Sequence, residues 1–183
     1  MSLILQGSTS GSITLQEPAV AGSTVLDLPA VSGTILTTTS PKAGNVIQVV
    51  NATYSTQTSS SSSTYSDTGL TASITPSSSS SKILVLVDLV GVFKETNNTS
   101  AFFKLVRSST DLITMDTVAG YTNSTGSIGI GSVSSNYLDS PATTSSTAYK
   151  VQIKSANNNA AVYINYNGYG AITSTITLME IAA

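Results

Sequence analysis

A serine becomes a nucleophile only when a base lies within hydrogen-bond reach of it. This 183-residue chain has no His and no Cys, so lysine is the base left for that task, and Ser79-Ser80-Ser81-Lys82 has a Ser-x-x-Lys spacing. Among 33 serines such a spacing arises by chance, and its catalytic version opens a helix that this stretch does not offer. Glycoside hydrolysis would need two carboxylates facing each other across a cleft. Asp111 and Asp116 flank Leu112-Ile113-Thr114-Met115, and an odd separation sends them to opposite faces of a strand. Asp139, before Ser140-Pro141, reads as a turn residue, while Asp88 inside an apolar run needs a partner, a wet face or a subunit contact. A hydrolase would have to gather Asp111, Asp139 and Glu180 in one cleft. Calcium wants several carboxylates in one loop, and no loop here has more than one or two. Without His, no side chain has an unperturbed pKa between pH 5 and 8; without Cys there is no thiolate, disulfide or zinc–thiolate site. The expectation is a protein with no catalytic residues, no metal and no cofactor.

Binding chemistry has one candidate. Tyr163, Tyr166 and Tyr169 lie close together with Asn165, Asn167, Gly168 and Gly170 between and around them. Tyrosine faces beside amides offer a sugar an apolar platform plus hydrogen bonds, so Tyr166, Tyr169 and Asn167 are the candidate contacts for a glycan or receptor. The plainer alternative has Tyr163 packed in a strand and the other two capping a hairpin or meeting a neighbouring subunit. Loops at Thr122 to Ser127 and Asn157 to Ala160 are further candidates for such contacts.

Composition closes other routes. Charged residues are 9% of the chain and the net charge is −2, against roughly 25% charged in ordinary domains. Seven scattered basic residues, with Arg107 the single arginine, cannot make the cluster that grips phosphates, so nucleic acid is not an expected partner. Hydrophobic residues make up 40%, enough for a packed core when net charge is this low. Met1 to Leu5 is apolar but lacks the basic start of a signal peptide. The longest apolar run, Ile83 to Val87, falls far short of the roughly 20 residues that span a bilayer; a soluble chain without membrane insertion is expected. The sequons at Asn51, Asn97, Asn98 and Asn123 read as turns.

Two zones must position these residues. In residues 1–43 glycines recur every 11 positions, at Gly11, Gly22 and Gly33, and the series continues at Gly44. Each precedes a short apolar alternation, and Pro18-Ala19-Val20-Ala21-Gly22 is echoed by Pro29-Ala30-Val31-Ser32-Gly33. Proline and glycine punctuate short strands, and units this short cannot bury an apolar face alone. The zone is therefore expected to be an extended arm, ordered by a partner surface or by intertwining with copies of itself. Residues 44–183 read as all-β. Strands are expected at Val46 to Val50, Thr68 to Ile74, Ile83 to Val92, Ala101 to Arg107, Leu112 to Asp116, Ser127 to Val133, Ala148 to Ile153, Ala161 to Tyr166 and Ile172 to Ile181. Gly, Asn, Ser and Pro clusters separate them. Ser55 to Thr64 reads as an edge strand or a long loop, and Ser77 to Ser81 as a solvated loop. Ile83 to Val87, apolar on both faces, should be central and covered on each side. Lys150-Val151-Gln152-Ile153-Lys154 should keep one wet face. The fold expected is an antiparallel β-sandwich or jelly roll behind an extended β-repeat arm.

Several stretches resemble small virion proteins of tailed bacteriophages, marine ones in particular. They are Gly11 to Gln16, Pro29 to Thr37, Gln48 to Thr53, Thr64 to Leu70, Ser81 to Val85 and Ser174 to Ile181, and together they span nearly the whole chain. The resemblance implies a fibre or a capsid or tail decoration protein located on the virion. It also implies a homotrimer, with residues 1–43 docked on capsid, portal or tail proteins and the C-terminal domain projecting outward. It carries no catalytic or cofactor-binding residues. The alternative is a receptor- or glycan-binding adhesin module of a tail fibre.

Overall fold

A computed structural model describes residues 2–6, 8–16, 41–124 and 126–183, with the backbone alone at 2, 3, 13, 15, 16 and 169. The chain forms two units, Met1–Ile35 and Leu36–Ala183. In the first, β1 (Ser2–Gln6) pairs antiparallel with β2 (Ser12–Gln16), placing Leu3 opposite Leu15 and Leu5 opposite Ile13. Gly11 before β2 and Gly44 before β3 (Val46–Tyr54) have φ of +79° and +87°, with open space where a Cβ would stand. Both take the left-handed backbone that glycine permits before a strand. Gly22 and Gly33, with their Pro-Ala-Val prefixes, lie outside the described residues.

The second unit continues with β4 (Thr58–Ser60), β5 (Ser66–Ile74), β6 (Lys82–Lys94), β7 (Ala101–Arg107), β8 (Thr110–Ala119), β9 (Ile128–Asp139), β10 (Thr147–Ser155), β11 (Val162–Ile164) and β12 (Ser174–Ile181). Each stretch expected to be a strand contains one, and Ser55 to Thr64 contributes the short edge strand β4. The pairings are nested: β3 with β12, β5 with β10, β6 with β9 and β7 with β8, all antiparallel. Cross-pairs β12–β6 and β10–β7 join these into two sheets, β3-β12-β6-β9 and β5-β10-β7-β8. Beyond Val90 the edge of β6 that met β12 meets β11 instead, and β11 pairs β4. The protein is all-β, a sandwich-like pair of antiparallel sheets; among the described residues there is no α-helix, only a single 3-10 turn at Asn167–Tyr169.

Alternation decides which faces meet. Leu70 and Ile74 of β5, Phe103 and Leu105 of β7, and Tyr149, Val151 and Ile153 of β10 are buried in one cluster with Ile83, Val85 and Val87 of β6 and Ile176 and Leu178 of β12. Lys150 and Gln152 point outward, as their alternation predicts, and both donate to Asp67, at 2.8 and 2.7 Å.

Three expectations change. β6 is central, between β12 and β9, but Leu84 is only half buried and Leu86 is exposed, because no layer of the described chain lies on that outer face. Asn51 is not a turn residue: it lies in β3 and donates to Thr177 Oγ1 at 2.8 Å. Asp139 is the last residue of β9 and is buried.

Candidate functional site

Strand registers give the second unit two poles. At the basal pole the chain enters and leaves together: Gly44 N donates to Ala182 O at 2.8 Å and Ala182 N to Asn45 O at 2.9 Å. The two buried carboxylates lie at this pole, with Glu180 and Asp139 opposite Ile83 from either side. Two strand spacings therefore separate them, roughly 10 Å. Asp111 lies on the other sheet, near the basal end of β8 opposite Val106, exposed, where Lys104 Nζ reaches it at 2.8 Å.

Each basal carboxylate is engaged. Asp139 accepts from Arg107 Nη1 at 2.8 and 2.7 Å and from Tyr149 Oη at 2.7 Å, which ties β9 of one sheet to β7 and β10 of the other. Glu180 accepts from Gln48 Nε2 at 2.5 Å, Ser77 N at 2.8 Å and Ser77 Oγ at 2.6 Å. Burial opposes its ionisation, but hydrogen bonds from Gln48, Ser77 and Ser81 outweigh burial and hold its pKa at about 2. A glycosidase acid needs a carboxyl with a raised pKa; Glu180 is shifted the other way. The run Ser77 to Ser81 is thus partly structural, its two ends pinned to Glu180.

Glu180 makes stability depend on acid. A carboxylate with a depressed folded-state pKa contributes stability that is complete above its ordinary value of 4.5 and vanishes as pH falls toward 2. Glu180→Gln is therefore expected to be less stable than the parent at pH 7, with the gap closing between pH 4.5 and 2 in urea titrations. An equal gap at both ends would assign the effect to packing instead of charge.

The distal pole gathers amide-rich loops. Asn98 N donates to Thr122 O at 2.7 Å, Asn157 Nδ2 donates to Asn98 O, and Ser63 N donates to Asn158 Oδ1 at 2.8 Å. Thr122 and Asn157, one from each of the two loops singled out in the sequence, both bond Asn98 here. Lys94, fully buried, donates to Thr122 Oγ1 at 2.5 Å, and burial lowers its pKa.

Beside this pole β6 changes neighbours, and side chains replace the ladder. Ser174 Oγ accepts from Val90 N at 3.0 Å and donates to Asn165 Oδ1 at 2.7 Å. Asn165 Nδ2 in turn donates to Tyr54 O at 2.8 Å and Thr56 O at 3.2 Å. Asn165, with φ +51°, ends β11 earlier than its apolar pattern suggests. The turn that follows leaves an apolar cavity of about 360 Å³ lined by Gly91, Val92 and Phe93 of β6, Gly129 and Gly131 of β9, and Tyr166, Gly170 and Ile172. Glycines on β9 keep its floor bare; nothing stands within 4 Å of a Cβ placed at Gly131.

Of the three sequence candidates, Tyr166 lines this cavity. Its ring stacks on Phe93, centroids 3.9 Å apart and planes 5° from parallel, with Tyr163 edge-on to both. The Gly168 backbone crowds the same ring, since a Cβ there would stand 2.4 Å from Tyr166 Cε1. Phe93 occupies one ring face, so Tyr166 acts as a wall of the cavity. Asn167 is exposed, its backbone N held by Gln57 Oε1 at 3.0 Å. The Tyr169 side chain lies outside the described ones. Tyr163 donates to Glu95, and burial with that bond raises its pKa to about 12. The sequence reading missed Phe93 and the Gly129-Ile130-Gly131 floor; two glycines at period 2 within a strand were the available signal.

No protein-family model matches the sequence, and no curated protein matches it.

Proposed function

We propose that the chain is a non-catalytic structural component of a bacteriophage virion, a short fibre or a capsid or tail decoration protein. In this reading residues 1–43 anchor it to other virion proteins and residues 44–183 form a jelly roll within a homotrimer. The nested pairing β3–β12, β5–β10, β6–β9 and β7–β8 supports the jelly roll, because it is one long antiparallel hairpin rolled into two sheets. The observation that carries the role is polarity. The chain enters and leaves at one pole, through the Gly44–Ala182 and Ala182–Asn45 hydrogen bonds, so an arm bound to a particle leaves the distal pole facing outward. Among the described residues, each carboxylate at the basal pole is spent on holding strands and loops together.

Antibody raised against the purified protein is expected to label intact phage particles, and mass spectrometry of those particles to detect the chain. Absence from purified particles would overturn the proposal.

The distal cavity and its amide loops favour a second reading, an adhesin that contacts a host glycan or receptor there. Tyr166→Ala should then abolish adsorption while leaving particle incorporation intact. Unchanged adsorption would end this reading and leave the first standing.

A further inference from the structure

The outer face of the β3-β12-β6-β9 sheet is built in levels. Strand register aligns Val49, Met179, Leu84 and Leu138 in one row across all four strands. Their neighbours along each strand point into the core, so the row faces outward. Val49 is 55% exposed and Leu138 50%, and the two between them are half buried. The next level is Asn51, Thr177, Leu86 and Asn136, with Leu86 also exposed; the one after it is Thr53, Thr175, Asp88 and Ser134. The apolar row lies toward the basal pole. An apolar row crossing a whole sheet in contact with water is the kind of surface that marks an interaction site.

The opposite sheet shows what a solvent face of this protein looks like. There Lys104 pairs with Asp111 and Lys150 with Asp67, each at 2.8 Å. Lys154 sits over Tyr65 and Phe102, 4.9 and 4.8 Å from the ring centroids. Lys104, Asp111, Lys150, Asp67 and Lys154 share that face, while the three levels of the first sheet carry Asp88 alone, at their distal end, and exposed Lys82 beside Ile181 borders the apolar row on its basal side.

We infer that this face of the β3-β12-β6-β9 sheet is the surface through which copies of the chain associate; the inference rests on the self-association proposed above. The partner it fits is another copy. When copies are arrayed about an axis running along the strands, each level meets the same level: apolar row on apolar row, and amides and hydroxyls, which both donate and accept, on their own kind. A charged partner would find almost no counter-charge across these levels, and interface centres are depleted of charge. The same axis keeps residues 44–46 of every copy at one pole, as common anchoring requires. A two-fold axis across the strands would send them to opposite poles.

The test is the mass of the full chain in solution. The parent protein is expected at three chains by light scattering. Val49→Lys with Leu138→Lys, both on exposed side chains, should drop the mass threefold with an unchanged far-ultraviolet spectrum, whereas Ser73→Lys on the opposite sheet should leave it at three. The chain has no Cys, so Leu86→Cys labelled with pyrene gives a second readout: excimer emission from a labelled face that meets its copy, and none from Ser73→Cys. A single-chain mass for the parent protein would overturn self-association itself. An associated parent whose lysine variant stays associated and folded, with no excimer at position 86, would overturn the choice of face alone. If the lysine variant fails to fold, the excimer decides.

Discussion

Asp139→Ala is expected to cost about 2–4 kcal/mol of folding stability, because it deletes a buried carboxylate and leaves the half-buried Arg107 without its counter-charge and the buried Tyr149 hydroxyl without an acceptor. Arg107 Nη1 would lose both of its carboxylate contacts, keeping a 3.4 Å approach to Ser140 O. Tyr149, fully buried, would lose the acceptor for its hydroxyl. Burial and then the bond to Asp139 raise the Tyr149 pKa, so the hydroxyl stays protonated and donating at neutral pH. Tyr149→Phe should cost far less, about 1 kcal/mol, since it removes a donor while Asp139 keeps Arg107. Urea titration followed by far-ultraviolet circular dichroism measures both. A loss below 1 kcal/mol for Asp139→Ala would mean that the sheets are held by the apolar cluster without help from this network.

That network also shows where the sequence stops being legible. Strand existence could be read from local pattern, because β-branched and aromatic runs between Gly, Asn and Ser clusters carry the period within themselves. The wet face of β10 followed from Lys150, Gln152 and Lys154 alone. Asp139 could not be read this way: the Ser140-Pro141 that follows it signals a turn, while the partner that makes it a buried strand residue, Arg107, is 32 positions away. Glu180 and the serine run are separated by 103 positions, so the serines look like filler until β12 is laid beside β6. Asn51 sits in a sequon and yet in a strand, where its amide bonds across to Thr177. The uncovered outer face of β6 was misread for a related reason. Leu84 and Leu86 show that both faces are apolar, but the pattern does not say whether the second cover comes from the same chain. The cavity was half legible: tyrosines and asparagines in 163–170 marked the neighbourhood, but Phe93 and the β9 glycines that complete it come from strands distant in sequence.

The largest local effect is expected at Gly91, where β6 passes from β12 to β11. Its φ is +59°, and a Cβ there would stand 2.0 Å from Ile172 Cδ1, 2.9 Å from Tyr166 N and 3.3 Å from Asn165 Cα. Left-handed backbone costs an ordinary L-residue roughly 1–2 kcal/mol, and forcing a methyl into filled space typically adds about 1–3 kcal/mol. Gly91→Ala should therefore lose about 2–5 kcal/mol in the same urea titration. Gly131→Ala is the control: its φ is +96° but nothing stands within 4 Å, so the backbone cost of about 1–2 kcal/mol should stand alone. Ile172 can swing its end away, whereas Tyr166 N is backbone and donates to Gly91 O at 3.0 Å. Combining Gly91→Ala with Ile172→Ala thus separates the two causes, and full recovery in the double variant would refute a role for the Tyr166 backbone. Partial recovery is expected, because the alanine pushes the turn outward and pulls Tyr166 off Phe93, a change that near-ultraviolet circular dichroism of the stacked rings reports directly. The glycine therefore fixes both the strand crossing and the aromatic wall of the distal cavity, so a variant that survives it folded would still present a changed surface at that pole.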